Sequence, residues 1–322
     1  DAILGRLGND LDFTTNALPQ DIKKILKSWA EDVWDIGIDF GTIAGKRGDT
    51  TVEITTYRSD KYDPESRKPE VEFGDNIQGD LSRRDFTVNA MALELTGTKP
   101  EFIDVFNGLA DLSAKVLRTP VTAEQSFSDD PLRMMRAARF AAQLNFEVSV
   151  DSLKAMREMA ERINIISAER VRDEFTKLLM SDDPRNGIAI LVATGLADLV
   201  IPEIPKLKLE VDEHHHHKDV YEHSLTVLEQ AIALEHRLGG KNLVNRLAAL
   251  LHDIGKPKTR ALIPGGGVSF HHHEVVGARL AKDRLKKLRF SNEIIEDVET
   301  LIALHLRFHG YGDGEWTDAA VR

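Results

Sequence analysis

The sequence predicts an α+β chain in which a mixed head precedes a long run of helices. Residues 1 to about 115 combine alternating strand-like runs with helical stretches, and from Pro131 onward the pattern is helical nearly to the end. Asp130-Pro131 reads as a helix start, with an Asx cap and Pro at the first helical position. With 322 residues the chain has room for two or three domains and a sizeable core.

Each element has its own signal. Asp39 to Gly45 and Thr51 to Tyr57 flank Lys46-Arg47-Gly48-Asp49, which predicts a hairpin. Residues 58 to 82 are polar and rich in Gly, Asp and Lys, which predicts a mobile loop. Leu153 to Ile166 and Val171 to Met180 place apolar residues at three- and four-residue spacing, as helices do. Lys206 to His217 reads as a linker into a third, histidine-rich helical unit; His214 to His217 reads as an exposed run or, alternatively, His217 and Asp219 read as a cover over a metal site in that unit. The chain opens without an initiator Met and stops inside a helix-like pattern, as a fragment would.

Composition narrows the function classes. The chain is 42% hydrophobic and 30% charged, as expected of a soluble globular protein. It has no cysteine, which excludes disulfides and thiolate metal sites and fits a reducing cytoplasm. The most apolar stretch, Gly187 to Ile201, is too short for a bilayer and contains Asp198, so no membrane association is expected. A net charge of −11 argues against nonspecific coating of nucleic acid but leaves room for a local basic grip on one RNA end. The candidates are Arg83 with Arg84, the series Arg133, Arg136 and Arg139, and the segment Arg279 to Arg289; the last reads equally as a solvated helix face.

Asp10 and Asp12 lie two residues apart on an alternating run, so a strand would point both to one face. Paired like charges call for a cation, and Mg2+ takes oxygen ligands and bridges to nucleotide phosphates. Glu53, between Val52 and Ile54 in a later strand, would be a third carboxylate on the metal side. Two-metal nucleotidyl transfer uses such a set.

These residues carry a resemblance to a known family. Asp1-Ala2-Ile3-Leu4-Gly5-Arg6 followed by Asp10 and Asp12 resembles the tail of the class II nucleotidyltransferase signature, that of CCA-adding tRNA nucleotidyltransferases and poly(A) polymerases. Arg83-Arg84-Asp85-Phe86-Thr87-Val88-Asn89 is similar to the block that contacts the incoming nucleotide, which implies that role for Arg84, Asp85 and Asn89. Asp104 to Leu112 resembles the hinge between head and neck. Asp129-Asp130-Pro131-Leu132-Arg133 and the helix behind it resemble the base-selecting block. The resemblance implies that Asp130 and Arg133 bond the Watson–Crick edges of CTP and ATP, with Arg136 and Arg139 serving phosphates. Asp129 stands where the family usually has Glu. The implied fold is a nucleotidyltransferase head of DNA polymerase beta type with a small mixed sheet (1–118), a helical neck (119–205) and a helical domain of HD type (206–322).

That last assignment rests on the histidines. His223, the run His252-Asp253-Ile254-Gly255-Lys256-Pro257, His271-His272-His273-Glu274 and His305 stand on separate predicted helices or their ends. Adjacent His252 and Asp253 suit one metal, with other histidines approaching from neighbours. The pattern resembles the HD phosphohydrolases and implies a divalent metal, of unspecified identity, held by His223, His252, Asp253, His273 and His305. His273 is chosen over His271 and His272 because Glu274 and Gly277 follow it as in similar sequences.

The expected activity is template-independent addition of CMP and AMP, from CTP and ATP, to the tRNA 3′ end, with Mg2+ at Asp10, Asp12 and Glu53. No DNA partner is expected. Alternatives are poly(A) addition, CC-only or A-only addition, an HD phosphohydrolase with a degenerate head, and a noncatalytic RNA-binding protein.

Overall fold

In the computed structural model, residues 2–5, 8–35, 37–61, 70–74, 76–209, 219–262 and 268–308 are described. Asp1, Arg6 and the run His214 to His217 lie outside them. The chain divides into two compact units, Asp1–Asp130 and Pro131–Arg322.

The first unit is built on a four-stranded mixed sheet. Strands β1 (Asp10–Thr15), β2 (Asp32–Trp34), β3 (Thr42–Arg47) and β4 (Thr50–Thr56) are ordered β1-β4-β3-β2. The predicted hairpin is present: β3 and β4 pair antiparallel up to Arg47↔Thr50, leaving Gly48 and Asp49 as the turn. Gly48 has φ +56, the left-handed conformation that such a turn requires and glycine adopts freely. Residues 38–40 form a 3-10 turn closed by Gly41 (φ +80), so β3 begins three residues later than the alternation suggested.

Helix α1 (Pro19–Trp29) starts with Pro at its first position and turns Ile22 and Leu26 onto the sheet. There they bury against Ile43, with Val33 and Ile54 beside them. This covers one sheet face and leaves the other for polar chemistry.

The expectation of a loop at 58–82 is corrected. Within it, β5 (Arg58–Lys61) pairs antiparallel with β6 (Glu70–Phe73), and α2 (Ile77–Ser82) follows, capped by Asn76 whose Oδ1 accepts from Gly79 N at 2.8 Å. A hairpin (β7, Ala92–Glu94; β8, Glu101–Ile103), α3 (Gly108–Ala114), the short strand β9 (Val116–Leu117) and α4 (Ala123–Asp129) complete the unit. Gly108 admits no side chain, since a Cβ would sit 2.2 Å from the Thr87 carbonyl oxygen.

The second unit is almost wholly helical. It contains α5 (Leu132–Leu144), the short strand β10 (Glu147–Val148), α6 (Val150–Met159), α7 (Ala168–Leu179), α8 (Pro184–Ala193) and the short α9 (Leu196–Val200). Then come α10 (Val220–Ala233), α11 (Leu243–Leu251), the short α12 (Lys256–Thr259), a two-stranded ribbon (β11, Ala261–Leu262; β12, Val268–Ser269), α13 (His273–Lys287) and α14 (Asn292–Leu304). The expected helix start at Asp130-Pro131 shifts by one residue. Asp130 caps the C-terminal end of α4, and α5 opens at Leu132 behind Pro131.

Helix α5 is buried on nearly every side, since Met134, Ala137 and Ala141 are as covered as Leu132, Met135, Ala138 and Ala142. Its arginines are therefore not a solvated stripe. Gly187 on α8 lets the two helices touch, because a Cβ there would lie 2.7 Å from the Ala138 carbonyl oxygen.

Candidate functional sites

The carboxylate face of the first unit follows from strand register. β1 runs parallel to β4 with Asp12 opposite Glu53 and Asp10 opposite Thr51. Opposed residues share a face, and side chains alternate along each strand. Asp10, Asp12 and Glu53 thus lie together on the face opposite α1, all exposed, while Ile54 turns into the α1 core. Glu53 could be linked to the Asp-x-Asp pair only through this pairing, which spans some forty residues of sequence. The backbone supplies a shared face; among the described residues, the ligand groups gathered closely enough to hold an ion are those of the histidine cluster.

Thr14 continues the face and connects it to α2. Its hydroxyl donates to Asp80 Oδ2 at 3.3 Å. Asp80 is fully buried and gathers both arginines of the Arg-Arg-Asp block. Arg83 donates to Oδ1 from Nε and Nη2 at 3.0 and 2.7 Å, and Arg84 donates to Oδ2 from Nη2 at 3.1 Å. Asp85 is also buried, and its Oδ1 accepts from Phe86 N at 2.8 Å and Asn89 Nδ2 at 3.0 Å. Asp85 and Asn89 therefore shape the turn, and Asn89 remains at the surface.

In the second unit the α5 arginines differ from one another. Arg139 is buried and donates from Nε to Glu174 Oε2 on α7 at 2.6 Å and from Nη1 to Gln143 at 2.8 Å. Its guanidinium lies 3.9 Å from the Phe140 ring centroid. Arg136 is half-buried, 3.9 Å from Glu174 Oε1. Arg133 is buried at the start of the helix. The basic segment 279–289 is partly consumed in the fold, with Arg284 paired to Glu203 at 2.9 Å and Lys282 to Glu299 at 2.7 Å.

The histidine cluster is the densest chemical feature. His223 comes from α10, His252 and Asp253 from the end of α11, His273 from the first turn of α13 and His305 from the end of α14. His271 is exposed, and His272 has φ +63 just outside the helix, so the register of α13 selects His273. Two trios meet at Asp253: His223 and His252 with its Oδ2, and His273 and His305 with its Oδ1. The Oδ2 contacts are 3.6 and 3.1 Å, and the Oδ1 contacts are 3.9 Å to His305 and 3.2 Å to His273.

Helix geometry fixes how three of these rings are protonated. Nδ1 of His252, His273 and His305 lies 2.9, 2.8 and 2.7 Å from the carbonyl oxygens of Ala249, Phe270 and Ile302. A carbonyl only accepts, so each Nδ1 carries the hydrogen and a neutral ring turns its Nε2 lone pair inward. The Nε2 atoms of His273 and His305 face each other at 3.2 Å, and those of His252 and His223 at 3.3 Å. Inward lone pairs at that spacing fit a cation, and such an outer hydrogen bond is how a metal-binding imidazole is oriented. The donor set, imidazole nitrogens with a carboxylate, suits a divalent transition metal.

Charge at the cluster is correspondingly perturbed. Burial by itself would raise Asp253, but hydrogen bonds from His252 and His273, which their Nε2 atoms donate only in the protonated ring, and the nearby Lys256 charge outweigh it and hold the carboxyl well below its usual range. Burial opposes protonation of His273, yet the Asp253 hydrogen bond raises its pKa. Burial pushes His305 down to about 4.

The sequence reading overlooked Lys256, 3.0 Å from Asp253 Oδ2, although its place three residues on was visible. Gly255 explains the rest of the block: a Cβ there would lie 2.1 Å from the His273 carbonyl oxygen, so only glycine lets α13 bring His273 to Asp253.

Three stretches of the chain match known family models. Residues 1–118 match the poly A polymerase head domain, residues 145–207 the segment described as "Probable RNA and SrmB-binding site of polymerase A", and residues 220–320 the HD domain. A CCA-adding enzyme of Lactococcus lactis is 40% identical over 224 residues, 66% of this chain and 54% of its own length. An A-adding tRNA nucleotidyltransferase of Deinococcus radiodurans is 39% identical over 237 residues, 72% of this chain and 53% of its own. This chain thus spans about half the length of the curated relatives it matches. The crystal structure of the Bacillus stearothermophilus CCA-adding enzyme in complex with CTP superimposes with a TM-score of 0.58 at 28% identity, covering 95% of this chain and 71% of that one. With these three models matched in order along the chain, it belongs to the family of CCA-adding tRNA nucleotidyltransferases and poly(A) polymerases.

Proposed function

We propose that the protein adds CMP and AMP, from CTP and ATP, to the 3′ end of tRNA without a template. The observation that carries this reading is the shared face of Asp10, Asp12 and Glu53 on β1 and β4. These carboxylates would hold Mg2+, which neutralises charge at the α-phosphate and lowers the pKa of the attacking ribose hydroxyl. Arg84 would orient the triphosphate, and Asp85 and Asn89 would shape the turn that presents it. Asp130 and Arg133 would read the base, since a carboxylate accepts and a guanidinium donates on a Watson–Crick edge. Arg136 would contribute positive charge. We retain 119–205 as the neck and 206–322 as the HD domain, and place the activity in the cytoplasm. No helix among the described residues is long and apolar enough to cross a membrane.

The test uses full-length protein with labelled CTP or ATP, Mg2+, and two tRNA transcripts, one lacking the whole CCA end and one lacking only the final A. Two C and one A, lost in Asp10→Ala or Asp12→Ala, is the expected product. A-only extension, as the Deinococcus radiodurans relative's name describes, would narrow the activity, and long A tails would make it a poly(A) polymerase. Absence of any extension would refute the reading.

The convergence of five ligand side chains supports a second activity, metal-dependent phosphohydrolysis at the HD cluster. His223, His252, Asp253, His273 and His305 would hold the divalent metal, which supplies Lewis acidity toward a phosphate ester. Lys256 would hold Asp253 ionised, and the backbone carbonyls would keep the rings oriented. His252→Ala should abolish cyclic phosphodiesterase or phosphatase turnover and leave tRNA extension intact. Turnover that survives His252→Ala would place it elsewhere.

A further inference from the structure

In the head, the buried carboxylate of Asp80 has no assigned part in nucleotide addition. Asp80 is fully buried, on a short helix within a polar stretch, and reaches three residues of the proposed catalytic surface. Burying a carboxylate is costly without compensation, and here two guanidiniums supply it. The arrangement is unequal. Arg83 is held by two hydrogen bonds to Oδ1 with 15% of its side chain exposed. Arg84 is held by one bond, from Nη2, with 35% exposed. Of the two guanidiniums, Arg84 is the more open toward solvent. Thr14 joins the same Oδ2 to β1, on the face that bears Asp10 and Asp12.

We infer that Asp80 is a positioning residue for the nucleotide triphosphate, tying Arg84 to the carboxylate-bearing strand so that its free donors face the phosphates. Pinned in advance, a guanidinium loses less rotamer freedom when phosphate arrives, and its direction relative to Asp10 and Asp12 is set by protein rather than by ligand. Arg83 completes the neutralisation. The inference rests on the proposed nucleotidyltransferase reading of the head.

The test is a double-mutant cycle in full-length protein with Asp80→Asn, Arg84→Gln and the pair. Equilibrium affinity for ATP with Mg2+ is measured alongside KM and kcat for nucleotide addition. Asp80→Asn should weaken ATP binding and raise KM by about tenfold, the worth of one charge-assisted hydrogen bond, and leave kcat within about twofold. In the Arg84→Gln background the same change should do almost nothing, because the residue it positions is gone. Equal, additive losses in both backgrounds, or unchanged ATP affinity in folded Asp80→Asn, overturn the inference. If Asp80→Asn fails to fold, Thr14→Val replaces it: this change cuts the tie to β1 while the charge stays paired, and coupling or additivity with Arg84→Gln is read the same way. A wild-type protein that neither binds ATP nor extends tRNA refutes the reading of the head as well; wild-type extension with additive mutants refutes Asp80 alone.

Discussion

Breaking the Arg139–Glu174 pair separates packing from nucleotide binding on α5. Glu174 is buried, accepts from Arg139 at 2.6 Å, and is approached by Arg136 at 3.9 Å and Lys177 at 3.8 Å. Glu174→Ala strands a buried guanidinium and should cost about 3–5 kcal/mol. For a unit of this size each kcal/mol moves Tm by about 2–4 °C, so the second unit should melt roughly 6–20 °C lower. Arg139→Met with Glu174→Leu replaces both charges with apolar groups of similar volume and should restore most of the loss, since such swaps are often neutral or better. Melting followed by circular dichroism, with KM for ATP measured on the same samples, decides the matter. A restored Tm with unchanged KM assigns Arg139 to holding α5 on α7. A restored Tm with KM raised tenfold or more would refute this reasoning and give Arg139 to the phosphates.

Three further outcomes are expected. Gly255→Ala should push α13 away from Asp253, costing about 1–3 kcal/mol as overpacking does; bound-metal stoichiometry should fall with Tm, and wild-type values of both would disprove the close-approach argument. Removing metal with chelator should destabilise the second unit, by about 2.7 kcal/mol relative to metal at one hundred times Kd; a melting point indifferent to chelator and to added divalent metal would show that the cluster binds none. Burial, followed by the Glu222 charge, pushes Tyr221 up to about 12, so the fold favours the neutral phenol. Its contribution to stability is whole below pH 10 and is lost as pH rises from 10 to 12. Its hydroxyl has no hydrogen-bond partner among the described residues, so Tyr221→Phe should cost little at pH 7 and flatten that alkaline loss; an identical alkaline profile in the variant would refute the assignment.

What the sequence disclosed and what it concealed have physical reasons. Asp10 and Asp12 were legible because a strand alternates with period two, and local spacing suffices to put them on one face. The histidines were legible as a set because His252-Asp253 with Gly255 is a dense local pattern. The hairpin and helix within residues 58–82 were hidden because β5 and β6 are short and mostly charged, so composition mimicked a loop. Asp80 was hidden for the same reason, although arginines at i+3 and i+4 mark a helical carboxylate with partners at hand. The Arg139–Glu174 pair was hidden because the partner lies thirty-five residues away on another helix, a distance over which spacing carries no signal.

The parallel pairing of β1 with β4 also bears on how mistakes in folding would be detected. A slip of one residue would turn Glu53 under α1, where Ile54 belongs, and lift Ile54 into water. The misaligned chain would thus lose its hydrophobic seat and its third carboxylate in the same event. Core and proposed catalytic surface are opposite sides of a single register, so a head that has folded stably has, by that fact, aligned its carboxylates.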